Sequence, residues 1–334
     1  MSTPLAIDGS VGEGGGQILR TSLALSCITA TPLHLTRIRA GRAKPGLRPQ
    51  HLACVRAAAQ ISGARVEGDH VGSRELRFRP KKVRGGDFGF QIGTAGSTAL
   101  VLQTVLLPLA LCGSKRHSTV RIGGGTHNDH APPLDFLKYA WLPVLERMGL
   151  RVELSMEQPG FYPKGGGSLV ARIHPGRPGR LELPKRGALQ GLIGRVVMSG
   201  LPRAAADQAL AGLRRQLTLQ DTVVESFSGP PGLAVMVEVQ SRCVTELFSG
   251  LATRGRGIDE AATSVAAQAL AYLAQPEPVG PHLADQLLLP MALGQGGAFR
   301  TVRPSLHTTT NVHIIQKFLD VHIEVGAETR VEPG

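Results

Sequence analysis

Glycine constrains this chain more than any other residue: there are 42 among 334 residues, many clustered directly ahead of apolar stretches. Gly12-Glu13-Gly14-Gly15-Gly16 leads into Gln17–Ile28, where Ile18, Leu19, Leu23 and Cys27 share one side of a helix. Leu25 lies on the other side, so that helix is expected to be mostly buried. Gly93-Thr94-Ala95-Gly96 leads into Ser97–Leu111, apolar on nearly every side, and Gly123-Gly124-Gly125 leads through Pro132-Pro133 into a helix over Asp135–Met148. Gly165-Gly166-Gly167 precedes an alternating strand, Ser168–Ile173. Further strand-like stretches lie at Leu33–Ile38, Glu75–Phe78, Phe88–Ile92, Thr119–Ile122 and Arg151–Ser155. The spacing predicts an α/β fold of repeated β-α units with short strands, a loose internal repeat.

The pattern changes near Pro175-Gly176-Arg177-Pro178-Gly179. From Leu181 to Leu273 it reads strand (Gly194–Met198), helix (Ala204–Thr218), strands (Thr222–Ser226 and Leu233–Val239) and helix (Glu260–Leu273). The proline-rich run Gln275–Pro281 reads as a stiff linker, after which Leu283–Leu293 is apolar and helical again. The expected organisation is a large domain, residues 1–180 with 278–334, interrupted by a smaller inserted α/β domain, 181–277. That return of the chain allows residues near the C-terminus to meet the first fifty.

Charge and composition narrow the function. Lys and Arg number 37 against 25 Asp and Glu, a formal charge of +12, with a pI near 10.2. Such a balance favours polyanionic partners. Aromatic residues make up only 4% of the chain, which argues against a module built on repeated base stacking. Cys27, Cys54, Cys112 and Cys243 are widely spaced, and no C-x-x-C or H-E-x-x-H occurs, so zinc is not expected. The apolar run Ala99–Cys112 is too short to span a bilayer, and the N-terminus has no signal-peptide pattern. A soluble, cytoplasmic protein with no membrane partner is the expectation.

The chemistry gathers in two places. Arg37 to His51 holds five cations and no acid, with glycines and prolines that oppose a regular helix, the make-up of an anion-binding loop. His307 stands among Ser305, Thr308, Thr309, Thr310 and Asn311, whose short polar side chains suit fixing one ring nitrogen and leaving the other free. A solvated basic loop and a structural histidine are the competing readings. The glycine clusters match neither the dinucleotide fingerprint, which needs glycine at Gln17, nor a P-loop. They can still present backbone N–H groups at helix N-termini to phosphate. Glu13 is then either a partner of the helix dipole or a ligand for a divalent metal. Thr126-His127-Asn128-Asp129-His130 is a weaker metal candidate, with no further ligand nearby beyond Asp129.

Several blocks in order carry a resemblance: Asp8-Gly9-Ser10-x-Gly12-Glu13-Gly14-Gly15-Gly16-Gln17-Ile18-Leu19-Arg20, the run Ile38 to Leu52, and Gly96-Ser97 with Gln103. Gly124-Gly125-Thr126, Gly160-Phe161-Tyr162-Pro163-Lys164-Gly165-Gly166-Gly167 and Leu283-Ala284-Asp285-Gln286-Leu287-x-x-Pro290-Met291-Ala292-Leu293 complete it. Together they resemble the RNA 3′-terminal phosphate cyclase family over residues 5 to 325. The resemblance implies repeated β-α-β units related to enolpyruvyl transferases, with an inserted α/β domain. It implies ATP and a divalent metal, Mg2+ or Mn2+, acting on RNA with a 3′-phosphate end. A histidine takes AMP, passes it to the RNA 3′-phosphate, and the adjacent 2′-OH displaces AMP to close a 2′,3′-cyclic phosphate. On that match His307 is the nucleophile, and Gln103, His282, Leu283, Ala284, Asp285 and Gln286 line the ATP pocket. Pro133 would pack on adenine, Glu13 would hold the metal, and Arg20, Arg39, Arg42, Gln50 and His51 would face phosphates. The chain departs from the family at His282, where a tyrosine is common.

The chemistry is consistent with this: imidazole attack divides one hard transfer into two easier ones, cations and metal offset the charge, and nearby arginines keep the imidazole neutral. Two alternatives stand beside it: a non-catalytic relative serving ribosome or RNA processing, and an enolpyruvyl-type transferase.

Overall fold

The structure, a computed structural model, describes residues 3–253 and 255–334. One motif, βαβαββ, is built three times. The first copy is β1 (Leu5–Asp8), α1 (Gly16–Thr29), β2 (Leu33–Thr36), α2 (Pro49–Ser62), β3 (Arg65–Glu67) and β4 (Leu76–Arg79), in the sheet order β1-β2-β4-β3. The second runs β5 (Asp87–Gln91), α3 (Thr98–Leu111), β6 (Ser118–Gly124), a helix, β7 (Val152–Gln158) and β8 (Gly167–Ile173), in the order β5-β6-β8-β7. Its second helix is α4 (Leu134–Phe136), a π-turn over Leu137–Trp141, and α5 (Leu142–Arg147). In both copies the strands flanking the first helix pair in parallel, joined by a helical crossover, and the closing strands pair antiparallel.

The third copy opens with β9 (Leu181–Leu183), and the chain then leaves it for a fourth sheet. That unit comprises β10 (Leu189–Ser199), α6 (Arg203–Arg214), β11 (Asp221–Phe227), β12 (Gly232–Ser241), β13 (Thr245–Ala252) and α7 (Ile258–Leu273), in the order β11-β10-β12-β13. The chain returns through α8 (Pro281–Ala292), β14 (Gly297–Arg300), α9 (Leu306–Phe318), β15 (Val321–Glu324) and β16 (Glu328–Pro333). β9 pairs in parallel with β14, so Leu181–Leu183 belongs to the third repeat and not to the inserted unit in which the sequence placed it. The α/β fold of repeated units is the fold the chain adopts; the repeat is larger than a β-α pair.

The inserted sheet shows how it is seated. Along β12, Leu233, Val235 and Val237 pack into a core with α6 and α7. Ala234 and Met236, on the opposite face, join the main core. This alternation follows from the two-residue period of a strand and buries both faces. β13 continues the sheet and was not read from the sequence, because Glu246, Ser249 and Gly250 interrupt any alternation. Glu246 is buried, and its Oε1 accepts the Gly280 N–H at 2.6 Å at the start of α8. Burial pushes its carboxyl up to about 8, with the Gly280 and Leu247 N–H groups opposing. Among the described residues no helix is long and apolar enough to cross a membrane.

Candidate active site

The glycine turn before α1 is shaped by what must fit beside it. Gly12 and Gly14 have φ of 59° and 58°, and a Cβ at Gly12 would fall 2.1 Å from Thr310 Oγ1 of α9. That hydroxyl instead accepts the Glu13 N–H at 3.0 Å, tying the turn to a helix almost three hundred residues away. A Cβ at Gly15 would fall 2.4 Å from both carboxylate oxygens of Glu13. Glycine there lets the carboxylate lie back over the start of α1.

His307 stands in the first turn of α9. Ser305 caps that helix, its hydroxyl accepting the Thr308 N–H at 3.0 Å and donating to Asp285 Oδ1 at 3.0 Å. The Thr308 hydroxyl also donates to Asp285, and Asn311 Nδ2 donates to the Asp285 carbonyl at 3.1 Å. Asp285 therefore clamps α9 to α8, and burial holds its carboxyl above the usual range against the pull of those hydroxyls. So mounted, the His307 ring presents Nδ1 to Gln17 Oε1 at 2.9 Å and to Glu13 Oε2 at 3.3 Å. The Gln17 amide oxygen only accepts, so Nδ1 carries the proton and Nε2 keeps its lone pair. Burial, with the charges of Arg20 and Arg42, lowers the pKa of His307, and Asp285 opposes them. At neutral pH the ring is neutral.

Beside the imidazole is an anion pocket. His51 Nδ1 accepts the Arg48 N–H at 3.3 Å at the N-terminus of α2, which leaves the proton on Nε2. Burial and then Arg20, Arg39, Arg48 and Arg42 drive its pKa down to about 3, so His51 is a neutral donor. A Cβ at Gly16 would sit 2.5 Å from His51 Nε2 and 2.9 Å from Arg20 Nη1, so both groups converge on the first residue of α1. Burial lowers the pKa of Arg20, and no carboxylate of the described residues offsets its charge. A buried guanidinium, an imidazole N–H and the free N–H groups of a helix start form a site an anion would complete.

These groups line a cleft of about 760 Å³ between the repeats and the inserted sheet. Glu13, Arg20, Arg39, Arg42, Gln50, His51, Pro133, His282, Asp285, Gln286 and His307 all reach it. Three expected members do not. Leu283 and Ala284 are buried in the core on the other side of α8, because the i, i+3, i+4 spacing of His282, Asp285 and Gln286 defines the face turned to the cleft. Gln103 donates to Gln286 Oε1 at 2.5 Å and lines a separate cavity of about 60 Å³ behind the cleft.

Others have structural duties as well. Arg39 Nη1 donates to the carbonyls of Lys44 at 2.7 Å and Gly46 at 2.9 Å, bracing its own loop. Gln50 Oε1 accepts the Ser97 N–H at 2.7 Å at the start of α3. His127, read as a weak metal ligand, is fully buried; its Nε2 meets Asp135 at 2.9 Å and its ring stacks on Phe161. Among the described residues no three His, Cys, Asp or Glu side chains are grouped to hold a metal.

Glu13, the expected metal ligand, forms an ion pair with Arg42. Its Oε2 is buried and lacks a hydrogen-bond partner, since His307 Nδ1 approaches without hydrogen-bond geometry. One carboxylate with a spare buried oxygen fits a cation held mainly by phosphates, the usual mode for Mg2+. Gln17 has no assigned role in the sequence analysis, yet the structure sets its Oε1 against His307 Nδ1. The cleft wall formed by Leu247–Leu251, Arg256 and Gln268 was also missed.

Fold and cleft together define an α/β protein of βαβαββ repeats with a basic cleft lined by the half-exposed His307 imidazole. The model of the RNA 3′-terminal phosphate cyclase family matches residues 11–325, and the chain belongs to that family. A protein of Ralstonia nicotianae named RNA 3′-terminal phosphate cyclase is 48% identical over 97% of this chain and 94% of its own. Proteins of that name from Salmonella enteritidis (98% of this chain, 97% of theirs) and Koribacter versatilis (97% and 92%) are each 44% identical.

Proposed function

We propose that this protein converts an RNA 3′-phosphate to a 2′,3′-cyclic phosphate, using ATP and a covalent AMP on His307. The observation that carries the proposal is the mounting of His307, with Nδ1 facing Gln17 and Glu13 and Nε2 free beside an anion pocket. In this reading Nε2 attacks the α-phosphorus of ATP, the P–N bond forms and pyrophosphate leaves. The positive charge on the ring is stabilised by Glu13 at Nδ1–H. An oxygen of the RNA 3′-phosphate then attacks the same phosphorus, returning the electron pair to Nε2. The 2′-OH next attacks the activated 3′-phosphorus, loses its proton and expels AMP.

Arg20, Arg42 and the His51 N–H serve as fixed donors to the phosphate oxygens. Pro133 and His282 would border the adenine, and Gln286 would line its pocket. Asp285 acts as a positioning residue through Ser305 and Thr308. A divalent cation such as Mg2+ or Mn2+, held by Glu13 and the triphosphate, would supply charge neutralisation at the phosphates. A non-catalytic role has no use for the braces around His307, and an enolpyruvyl transfer has no use for its free nitrogen.

The test is an oligoribonucleotide labelled in its 3′-phosphate, incubated with the protein, ATP and Mg2+. The label is expected to become resistant to phosphatase only when ATP is present. A label that stays phosphatase-sensitive under all conditions would remove the proposal.

A further inference from the structure

The motif Gly160–Gly167 takes no part in the chemistry above, yet it is held with unusual firmness. Thr126 Oγ1 accepts the Gly160 N–H at 2.9 Å, and the Thr126 and His127 N–H groups donate to the Gly160 carbonyl at 2.9 and 3.2 Å. Phe161 is buried, stacked on His127 with ring centroids 5.2 Å apart. The Gly165 N–H donates to the Phe161 carbonyl at 2.7 Å. Gly165 and Gly166, with φ of 67° and 77°, close the turn, and Gly165 lies so near Ala95 that a Cβ would come within 2.8 Å of its Cα. At the tip of this fixed turn Tyr162 is 80% exposed. It is the one aromatic ring among the exposed large apolar side chains of the described residues.

The turn adjoins the cleft, because Phe161 stacks on His127, which lines it. It rests on Thr94–Gly96, and the same short segment contacts two cleft residues. Asn128 Nδ2 donates to the Ala95 carbonyl, and Gly96 abuts Gln50. Lys164, two residues on, is exposed. A strand whose terminal phosphate lies in the pocket of Arg20 and His51 must leave the cleft over its rim.

We propose that Tyr162 stacks on a nucleobase near the 3′ end of the RNA, with Lys164 facing the adjoining phosphodiester, so that the turn sets how the strand enters. This rests on the function proposed above. An aromatic face suits any base, because every base has a π-surface, and a ring carried on a braced turn needs no ordering of the backbone on binding.

The experiment uses the full chain, ATP and RNA oligomers ending in a 3′-phosphate, and reads enzyme–AMP formation separately from cyclisation. Tyr162→Ala is expected to raise the RNA KM roughly five- to hundred-fold, the range for loss of one base stack. Enzyme–AMP formation, which needs no RNA, should persist in the variant, and Tyr162→Phe should keep a KM within about two-fold of wild type. An unchanged KM in a variant that still forms enzyme–AMP overturns the proposal; the ring would then serve something other than RNA. Absence of enzyme–AMP in the wild-type protein itself would instead sink the proposed function. Should Tyr162→Ala fail to fold, 2-aminopurine placed in turn at the last three nucleotides gives the answer with the wild-type protein. Quenching at one position that weakens in Tyr162→Leu supports stacking, and no quenching at any position excludes it.

Discussion

Gly16→Ala separates packing from propensity at the centre of the site. Gly16 is the first residue of α1 and has no unusual φ, so alanine suits its backbone. On helix propensity alone the change should add up to about 1 kcal/mol of stability. The new methyl, however, would come within 2.5 Å of His51 Nε2 and 2.9 Å of Arg20 Nη1. Arg20 has a long side chain to move, whereas His51 is buried and pinned through Nδ1 to the Arg48 N–H. Relief then means losing that cap or turning both donors away from the pocket. Overpacking of this kind costs about 1–3 kcal/mol, so stability should fall slightly despite the better helix former. Loss of a charge-assisted phosphate contact is worth roughly 1.5–3 kcal/mol, which slows enzyme–AMP formation by about one to two decades. The assay is the single-turnover rate of that step alongside a urea midpoint. Gly89→Ala is the control, since a Cβ there meets nothing within 4 Å. A Gly16→Ala protein with wild-type rate and raised stability would show that Arg20 and His51 do not converge on the phosphate.

Glu246→Gln tests the joint between the inserted sheet and α8. The wild-type carboxyl is held neutral in the fold up to about pH 8, from an ordinary value of 4.5, so its contribution is full below 4.5 and lost as pH rises towards 8. Glutamine keeps the neutral acceptor for Gly280, so the variant should gain on wild type by about 1.4 kcal/mol per pH unit across that window, and parallel urea midpoints from pH 5 to 8 would contradict this. His282→Tyr enlarges the ring at the mouth of the cleft and should tighten ATP binding by about 0.5–1.5 kcal/mol, with His282→Ala weakening it. An apparent ATP constant identical in all three proteins would place the base elsewhere. The acid limb of enzyme–AMP formation should lie below pH 6.5, the ordinary histidine value, because burial and the two arginines lower the pKa of His307.

Four helices of the repeats, α1, α3, the one following Pro133 and α8, were readable because glycine turns, prolines and long apolar runs mark them without help from tertiary contacts. α1 and α3 fall within a residue of their expected starts. α9 was invisible because Thr308, Thr309 and Thr310 are poor helix formers; tertiary bonds through Asp285 and Glu13 offset that weakness. α2 was hidden for a related reason: the run of arginines and prolines reads as a loop, and Pro49 suits a helix only at its first turn. Of the candidate site, the charged and imidazole groups announced themselves by type. Which face of α8 they shared did not, and that misplaced Leu283 and Ala284. Gln17 became meaningful only once α9 lay beside it.

The most direct test of the account is to incubate the protein with ATP labelled in the α-phosphate and Mg2+, without RNA, and to map any covalent label. The account predicts acid-labile, base-stable AMP on His307, absent from His307→Asn although that variant folds. Label on another residue, label retained by His307→Asn, or none on wild-type protein that still cyclises RNA would contradict it.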